Sequence, residues 1–594
     1  MAKKRINVMC TAFRDGFQSV FGARVFMKDY LPALEAAVEA GLKHFEFGGG
    51  ALFQSSFFYA NENAFENMAK FRELAGPEAD LQTLARGVNV VGLESQPRDI
   101  ISLHAKLFKK YGATTIRNFD ALNDVDNLEY SGKCIADNGL RHEIAITMMD
   151  LPPGCEGAHD VAFYEKTLRR ILDSGIPYAA LCFKDASGTS NPRKVHETLK
   201  MARKLLDKKI PISFHTHETA GISVAAYLAA IEAGADSIDL SLAPVSGGTC
   251  SPDILTMRHA LKGSEYDLGL NPDRILKAEE VLTECLKDYF VPPEALAVSP
   301  LIPFSPMPGG ALTANTQMLR DNGLLDKYPA IIKAMGEVVR RGGFGTSVTP
   351  VSQFYFQQAF NNVMFGPWEK FADGYGRMIL GYFGKTPAAP DETLIKLAEE
   401  KMKLPRTAEK VVDINEKDPA KGIMAAKKML ADAGLPDTEE NIFIAAACKE
   451  KGLAFLKGEG KIGVRKIERT KKEKTDSFIV TVNGKKHPVI YQNGIATVDG
   501  KKYDVKVEAQ IADTTVQPID HGVETTDVKS PFPGTILKVA REAGKRVVKN
   551  DLLFVIEAMK METEIKAPRD GVLLAVRVKA GDAVVSGQAL AQLG

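Results

Sequence analysis

Residues 533–556 align without a gap on residues 570–593, with Gly534 matching Gly571, Val539 matching Val576, Gly544 matching Gly581 and Ile556 matching Leu593. A segment this short has no core of its own, so the two β-like halves are predicted to pack face to face around a pseudo-twofold axis. Between them, Glu557-Ala558-Met559-Lys560-Met561-Glu562 reads as a hairpin with Lys560 at its tip. Methionine on both sides of a turn lysine is unusual, because a turn offers two apolar side chains little burial.

Upstream, residues 6–13, 43–48, 81–86, 114–120, 143–149, 178–184, 211–217 and 236–243 read as strands, separated by amphipathic stretches such as 30–40. Eight βα repeats predict a TIM (β/α)8 barrel over 1–300. A doubly wound sheet is the rival, but the first βα turn lacks the Gly-x-Gly-x-x-Gly fingerprint. Residues 301–456, where Pro/Gly turns separate long helical patterns, read as a mostly helical second domain. The lysine-rich stretch 457–476 reads as a solvated linker, 477–510 as a small β module with Asn-Gly and Asp-Gly turns, 511–527 as a flexible linker, and 528–594 as a C-terminal β-sandwich. The fold class is therefore multidomain α/β.

A chain of 594 residues exceeds what one core supports. Its net charge of +1 gives no general attraction to nucleic acid or anionic lipid, so no nucleic-acid partner is expected. Seven scattered cysteines without a Cys-x-x-Cys pair suggest neither a disulfide framework nor a zinc ribbon, and point to a cytoplasmic location. Neither a signal-peptide core nor an apolar run of about 20 residues is present.

The chemistry concentrates at the predicted strand ends. His215 and His217 end the seventh strand on one face, Asp15 follows the first, and Lys184 ends the sixth, so a barrel would bring all four to one mouth. Two imidazoles and a carboxylate suit Zn²⁺, Mn²⁺ or Co²⁺. A lysine aimed at a cation carries no lone pair while charged, so it is either a Schiff-base or proton-transfer lysine or a carbamate. Gly48-Gly49-Gly50 suits close approach of backbone to a ligand, and the Phe-rich stretch 53–58 is expected to pack at the mouth. Gly384-Lys385-Thr386 has Ile379 where a phosphate loop needs glycine. Cys182 and Cys250 could face the site without any sign of activation.

Thr11–Ser19, Gly49–Ala51, Leu84–Asn89, Arg117–Asn123, Lys184-Asp185, His215–Gly221 and Pro308–Gly310 occur in the order typical of biotin-dependent carboxyltransferases acting on 2-oxo acids. That family includes the carboxyltransferase domain of pyruvate carboxylase, or its B subunit where the enzyme is divided, the oxaloacetate decarboxylase alpha subunit and the transcarboxylase 5S subunit. The resemblance covers about residues 5–390, and Ala558-Met559-Lys560-Met561 within 528–594 resembles biotin carboxyl carrier domains of barrel-sandwich hybrid form. It implies biotin on Lys560, and Asp15, His215, His217 and carbamylated Lys184 as metal ligands. It further implies Arg14 and Gln18 on the substrate oxygens, Gly49 beside the substrate, Thr349 as proton shuttle, and a helical domain that completes the active site. The implied reaction moves a carboxyl group between biotin and pyruvate through a metal-stabilised enolate.

Three positions depart from the family: Phe58 stands where an arginine usually grips the substrate carboxylate, Phe17 where histidine is usual, and Gln353 where lysine is usual. Either the substrate is not pyruvate or Arg86 or Arg24 takes over its carboxylate. The expected partners are a separate biotin carboxylase subunit or the membrane subunits of a sodium-pumping decarboxylase, biotin protein ligase, and further copies of the chain in a homo-oligomer. The Claisen-type synthases and lyases share Arg14-Asp15-Gly16 and His-x-His, but Lys184 and the hairpin speak against them; a non-catalytic biotin carrier is the remaining rival.

Overall fold

The computed structural model describes residues 3–467, 477–482, 485–492, 495–498, 501–504, 525–558 and 561–594. They fall into two compact units, Met1–Arg465 and Lys466–Gly594. In the first, eight parallel strands close into a barrel: β1 Asn7–Cys10, β2 His44–Glu46, β3 Asp80–Ala85, β4 Thr115–Phe119, β5 Arg141–Thr147, β6 Ala180–Asp185, β7 Ile212–Thr216 and β8 Ser237–Leu240. Cys10 of β1 pairs with Phe45 on one side and Leu240 on the other, which closes the ring. All eight overlap the segments read from the hydrophobic pattern.

Helices between the strands turn apolar faces to the sheet. In Arg98–Lys110, Ile100, Ile101, Leu103, Leu107 and Phe108 are buried while Lys106, Lys109 and Lys110 are exposed. Asp160, Asn191 and Asn271 cap three further helices by accepting backbone N–H bonds, each contributing about 1 kcal/mol. The barrel interior departs from the branched apolar filling usual in this fold. Gln82, Arg117, Glu143, Ser213 and Asp239 bond to one another across it and are at most 5% exposed.

Beyond the barrel come helices Gly309–Asp321, Tyr328–Arg341, Val351–Phe365, Asp373–Ile379 and Glu392–Met402. The later helix Glu439–Leu456 instead shares the barrel's core: Phe443 packs on Phe53, Phe65 and Phe108 at ring distances of 5.5, 6.1 and 6.2 Å. Phe53 and Phe57 therefore lie under this helix, where Phe57 meets Phe455. Residues 457–465 run along the same unit, Gly463 N–H donating to Tyr59 O and Phe290 N–H to Arg465 O, so this part of the lysine-rich stretch is tied down. Residues 468–476, and residues 511–524 of the predicted linker 511–527, lie outside the described residues; Thr526 and Asp527 of that linker already belong to the first strand of the C-terminal domain. No helix of the described residues is long and apolar enough to cross a membrane.

One carboxyl pair on the barrel's periphery makes a stability prediction. Glu279, on helix Pro272–Leu286, is 7% exposed and hydrogen-bonded to Asp253; burial and that second carboxyl push its pKa up to about 8. A folded-state value raised above 4.5 means that the native chain holds the extra proton, so stability falls as pH rises from about 4.5 and is lost through about 8. Glu279→Gln keeps a bond to Asp253 by donating from its amide N–H, with no titratable proton. It should match the parent at pH 5 and exceed it by about 1–3 kcal/mol at pH 9, allowing for partial solvent screening. Denaturant titrations at the two pH values check this.

In the second unit, β9 Ser477–Val482, β10 Lys485–Gln492, β11 Ile495–Val498 and β12 Lys501–Asp504 form an antiparallel meander. The C-terminal domain follows with β13 Thr526–Lys529, β14 Gly534–Val539, β15 Arg546–Val547, β16 Leu552–Ala558, β17 Met561–Lys566, β18 Gly571–Val576, β19 Ala583–Val584 and β20 Ala589–Leu593. Its sheets run β13-β20-β18-β15 and β17-β16-β14-β19, so the repeat exchanges one sheet for the other. The hydrogen bonds obey the same symmetry: Gly544 N–H donates to Leu573 O and Gly581 N–H to Ile536 O. Ile536, Phe554, Ile556, Leu573, Leu590 and Leu593 fill the core between the sheets.

Candidate active site

β1 ends in a buried π-helical turn, Ala12–Gly16, an irregularity that recurs at functional sites and here carries Arg14 and Asp15. His215 on β7 and His217 just beyond it share one face of the chain. Asp15, His215 and His217 consequently present ligand atoms within 4.8 Å of one another. The two Nε2 atoms are 3.0 Å apart, and Asp15 Oδ2 is 2.8 Å from His217 Nε2. His215 Nδ1 lies 2.8 Å from the Asp239 carboxylate, which places its proton on Nδ1 and leaves the Nε2 lone pair facing the cluster. Burial pushes His215 down to about 3, so the ring is neutral at working pH. Burial opposes charge on Asp15, but His217 and Arg14 outweigh it and hold the carboxyl well below the usual range. One carboxylate whose Oδ2 receives no hydrogen bond, converging with two imidazoles, fits a borderline divalent cation.

Lys184 pairs in register with Thr147 on one side and His215 on the other. It is 3% exposed, and desolvation lowers its pKa although Asp15 and Glu46 favour its charge. Arg14 donates to Glu46 through Nη2, while Nη1 is 2.9 Å from Gln18 Oε1 and 3.1 Å from Asp15 Oδ1. Gly50, at φ +64°, turns its open side to Arg14 and Gln18 at 3.5–3.6 Å. Gly49 instead donates its N–H to Thr83 Oγ1, and a Cβ there would fall 2.1 Å from that hydroxyl. The close approach that requires glycine at 49 is thus to β3, and Gly50 borders the site. Gly309 opens helix Gly309–Asp321 against the cluster: a Cβ would stand 2.8 Å from His217 Nδ1 and 1.7 Å from Thr249 O.

Arg86 continues the inward face of Gln82 and Leu84 just past β3. Its Nη1 donates to Val91 O at 2.6 Å and Gly92 O at 3.0 Å, and it has no acidic partner among the described residues. Burial, with Arg14 nearby, pushes it down to about 9. Phe58 lies in the π-helical turn Ser56–Ala60 under the Lys451 ammonium, 5.1 Å from its ring centre, and Arg24 stacks on Tyr59 at 4.0 Å. Phe17 packs in the core against Phe13 and Tyr30. Thr349 and Gln353 are half-buried. Thr349 follows a segment stitched to the mouth by Thr346, whose hydroxyl meets Thr147 Oγ1 at 2.8 Å and whose N–H donates to Ala121 O.

Lys560 lies outside the described residues; Ala558 and Met561, which flank it and Met559, pair in register across β16 and β17. Burial pushes Cys182 up to about 12 and holds Cys250 well above the usual thiol range, so neither thiol is activated. Lys385 N–H donates to Asp124 at 2.8 Å, so a carboxylate of the chain itself takes the place a phosphate would need. Glu46, Asp239 and the contact of Gly309 with His217 were missed in the sequence. For Glu46 and Asp239 the one signal is a charged residue at the inward period of an apolar strand; the glycine contact has none.

Three family comparisons match parts of the chain: "HMGL-like" over residues 148–282, "Conserved carboxylase domain" over 302–509 and "Biotin-requiring enzyme" over 526–593. The chain is 30% identical over 572 residues to the B subunit of pyruvate carboxylase from Methanocaldococcus jannaschii, covering 94% of each. It is 29% identical over 397 residues to the methylmalonyl-CoA carboxyltransferase 5S subunit of Propionibacterium freudenreichii subsp. shermanii, covering 67% of this chain and 77% of that one. In structure it resembles the carboxyl transferase domain of Rhizobium etli pyruvate carboxylase with pyruvate and biocytin, with a TM-score of 0.68 at 24% identity, covering 85% of this chain and 89% of that one.

Proposed function

We propose, from the chain's membership of the biotin-dependent carboxyltransferase family that includes the B subunit of pyruvate carboxylase, that it transfers a carboxyl group between biotin on Lys560 and pyruvate, interconverting pyruvate and oxaloacetate. The observation that carries this reading is the convergence of Asp15, His215 and His217 beside the Arg14–Gln18 pair.

In this reading Asp15, His215, His217 and carbamylated Lys184 hold a divalent cation, for which Zn²⁺, Mn²⁺ and Co²⁺ all suit the donors. When bound, that cation supplies Lewis acidity to the substrate's 2-oxo oxygen, and biotin supplies the transferable carboxyl group. Desolvation favours the neutral Lys184 amine, which adds to carbon dioxide and releases one proton to give the carbamate. Arg14, its fork held by Glu46 and Gln18, donates to the oxygen on which negative charge develops. Gln18 and the Gly50 backbone line the same side. Thr349 passes a proton between the substrate methyl and the biotin ring nitrogen. Arg86, a buried guanidinium with no carboxylate of its own among the described residues, grips the substrate carboxylate in place of the missing arginine at 58.

The relative's name describes one subunit of an enzyme, so biotin is loaded by a separate biotin carboxylase subunit and attached by biotin protein ligase. The protein works in the cytoplasm as a homo-oligomer. Isotope exchange between pyruvate and oxaloacetate on the biotinylated full-length protein tests the reading, and absence of exchange rejects it. Arg86→Gln should raise KM for pyruvate about 10–100-fold with a smaller change in kcat, as expected for losing one charge-assisted fork. An unmoved KM would assign the carboxylate to another residue, and a 2-oxo acid preferred over pyruvate would revise the substrate.

A further inference from the structure

We propose that Arg117 and Glu143 are positioning residues which, acting through Asp239, fix the orientation and the protonated nitrogen of His215 and so set the affinity of the barrel mouth for its cation. The inference rests on the metal reading above and adds to it the part of the barrel below the ligands.

The groups form one ionic column. Glu143 accepts from Ser213 Oγ at 2.6 Å, from Gln82 Nε2 at 2.8 Å and from Arg117 Nε. Arg117 turns the other end of its guanidinium to Asp239, Nη1 to Oδ2 and Nη2 to Oδ1 at 3.3 Å. Asp239 Oδ2 also meets His215 Nδ1 at 2.8 Å. Glu143, Arg117 and Asp239 are 5%, 1% and 0% exposed. The lower end of the column borders a cavity of about 480 Å³ at the N-terminal end of the barrel, lined by Gln82, Glu143 and Ser213. Its upper end is a cluster ligand.

Stability does not account for three buried ions here. Apolar side chains would fill the same volume without desolvation cost, and they do so in most barrels of this kind. What the ions add is direction. A carboxylate clamped at both oxygens by a planar fork cannot rotate, so the imidazole that donates to it keeps one plane and one tautomer, with Nε2 aimed at His217 and Asp15. Glu143 is needed because Arg117 touches Asp239 with its Nη atoms only; holding Nε from the opposite side fixes the plane of the fork.

The test uses the full-length chain freed of metal and titrated with Co²⁺, reading both the visible absorption of the bound ion and its affinity against a competing chelator. The parent should bind about one Co²⁺ per chain. Glu143→Gln and Arg117→Lys, which keeps the charge but loses the fork, should each weaken binding about 10–100-fold and shift the absorption band. Glu143→Asp should recover part of both. A residue that only supports the fold would lower the unfolding temperature and leave the spectrum in place. Folded variants that bind Co²⁺ with parental affinity and spectrum overturn the positioning role, and if Arg117→Lys does not fold, Glu143→Gln decides. A parent chain that binds no Co²⁺ overturns the metal reading and the positioning role with it.

Discussion

His215→Ala should strip the divalent cation from the protein and lower pyruvate–oxaloacetate exchange by at least about 1,000-fold. The expectation follows from geometry. The imidazole is fully buried, it carries its lone pair on the atom 3.0 Å from His217 Nε2, and its other nitrogen is committed to Asp239. Alanine removes a ligand and leaves the Asp239 carboxylate facing the cavity that results. Loss of charge stabilisation at a developing oxyanion costs about 3–4 kcal/mol, which is two to three decades in rate, and loss of the cation also removes the anchor for substrate. Metal analysis should find about one ion per chain in the parent and almost none in the variant. Biotin content, read by streptavidin binding, should not change. A variant that exchanges at the parental rate without metal ends the assignment.

Lys560→Arg should abolish biotinylation and, with no free biotin supplied, reduce exchange to the background rate, again a loss of about 1,000-fold or more. Arginine keeps the positive charge of the turn, but its guanidinium does not form the amide that a lysine ε-amine forms with biotin. A tethered cofactor works at an effective concentration near ~1 mM, and the variant forfeits that advantage entirely. Co²⁺ binding should be untouched, because Asp15, His215 and His217 belong to the other unit of the chain. The two variants thus report separately on carrier and metal. Exchange that persists in Lys560→Arg at the parental level would remove the carrier from the reaction.

The barrel was legible in the sequence because each strand is a short apolar run between amphipathic helices, a pattern that survives without knowledge of register. The C-terminal sandwich was legible for a stronger reason: its halves match residue for residue, and strands and cross-bonds repeat at the same 37-residue offset, as from Gly534 to Gly571. Asp15, His215 and His217 could be gathered in advance because strand ends of a barrel share one mouth.

The interior column could not. Arg117 and Asp239 sit mid-strand in Thr-Ile-Arg-Asn-Phe and Ser-Ile-Asp-Leu, and only the register of all eight strands shows that they face each other. The surroundings of Phe58 were hidden for a different reason. Lys451, which covers its ring, arrives from a helix nearly 400 residues later, a distance no local pattern spans. Gly49 and Gly50 were indistinguishable as letters, and their division of labour follows from the direction of one missing Cβ.

The exchange of hydrogen bonds between the two halves of the C-terminal domain fixes an order of events in the life of the chain. The strands Leu552–Ala558 and Met561–Lys566, which flank residue 560 in sequence, belong to a sheet whose far edge is Ala583–Val584, and the opposite sheet is built largely from Gly571–Val576 and Ala589–Leu593. A growing polypeptide that has just completed the lysine therefore has nothing to offer a modifying enzyme that recognises a folded surface. An enzyme that reads the folded domain before it acylates Lys560 would have to wait until the second half has been synthesised and has docked, and the proposed prosthetic group would then mark only finished carriers.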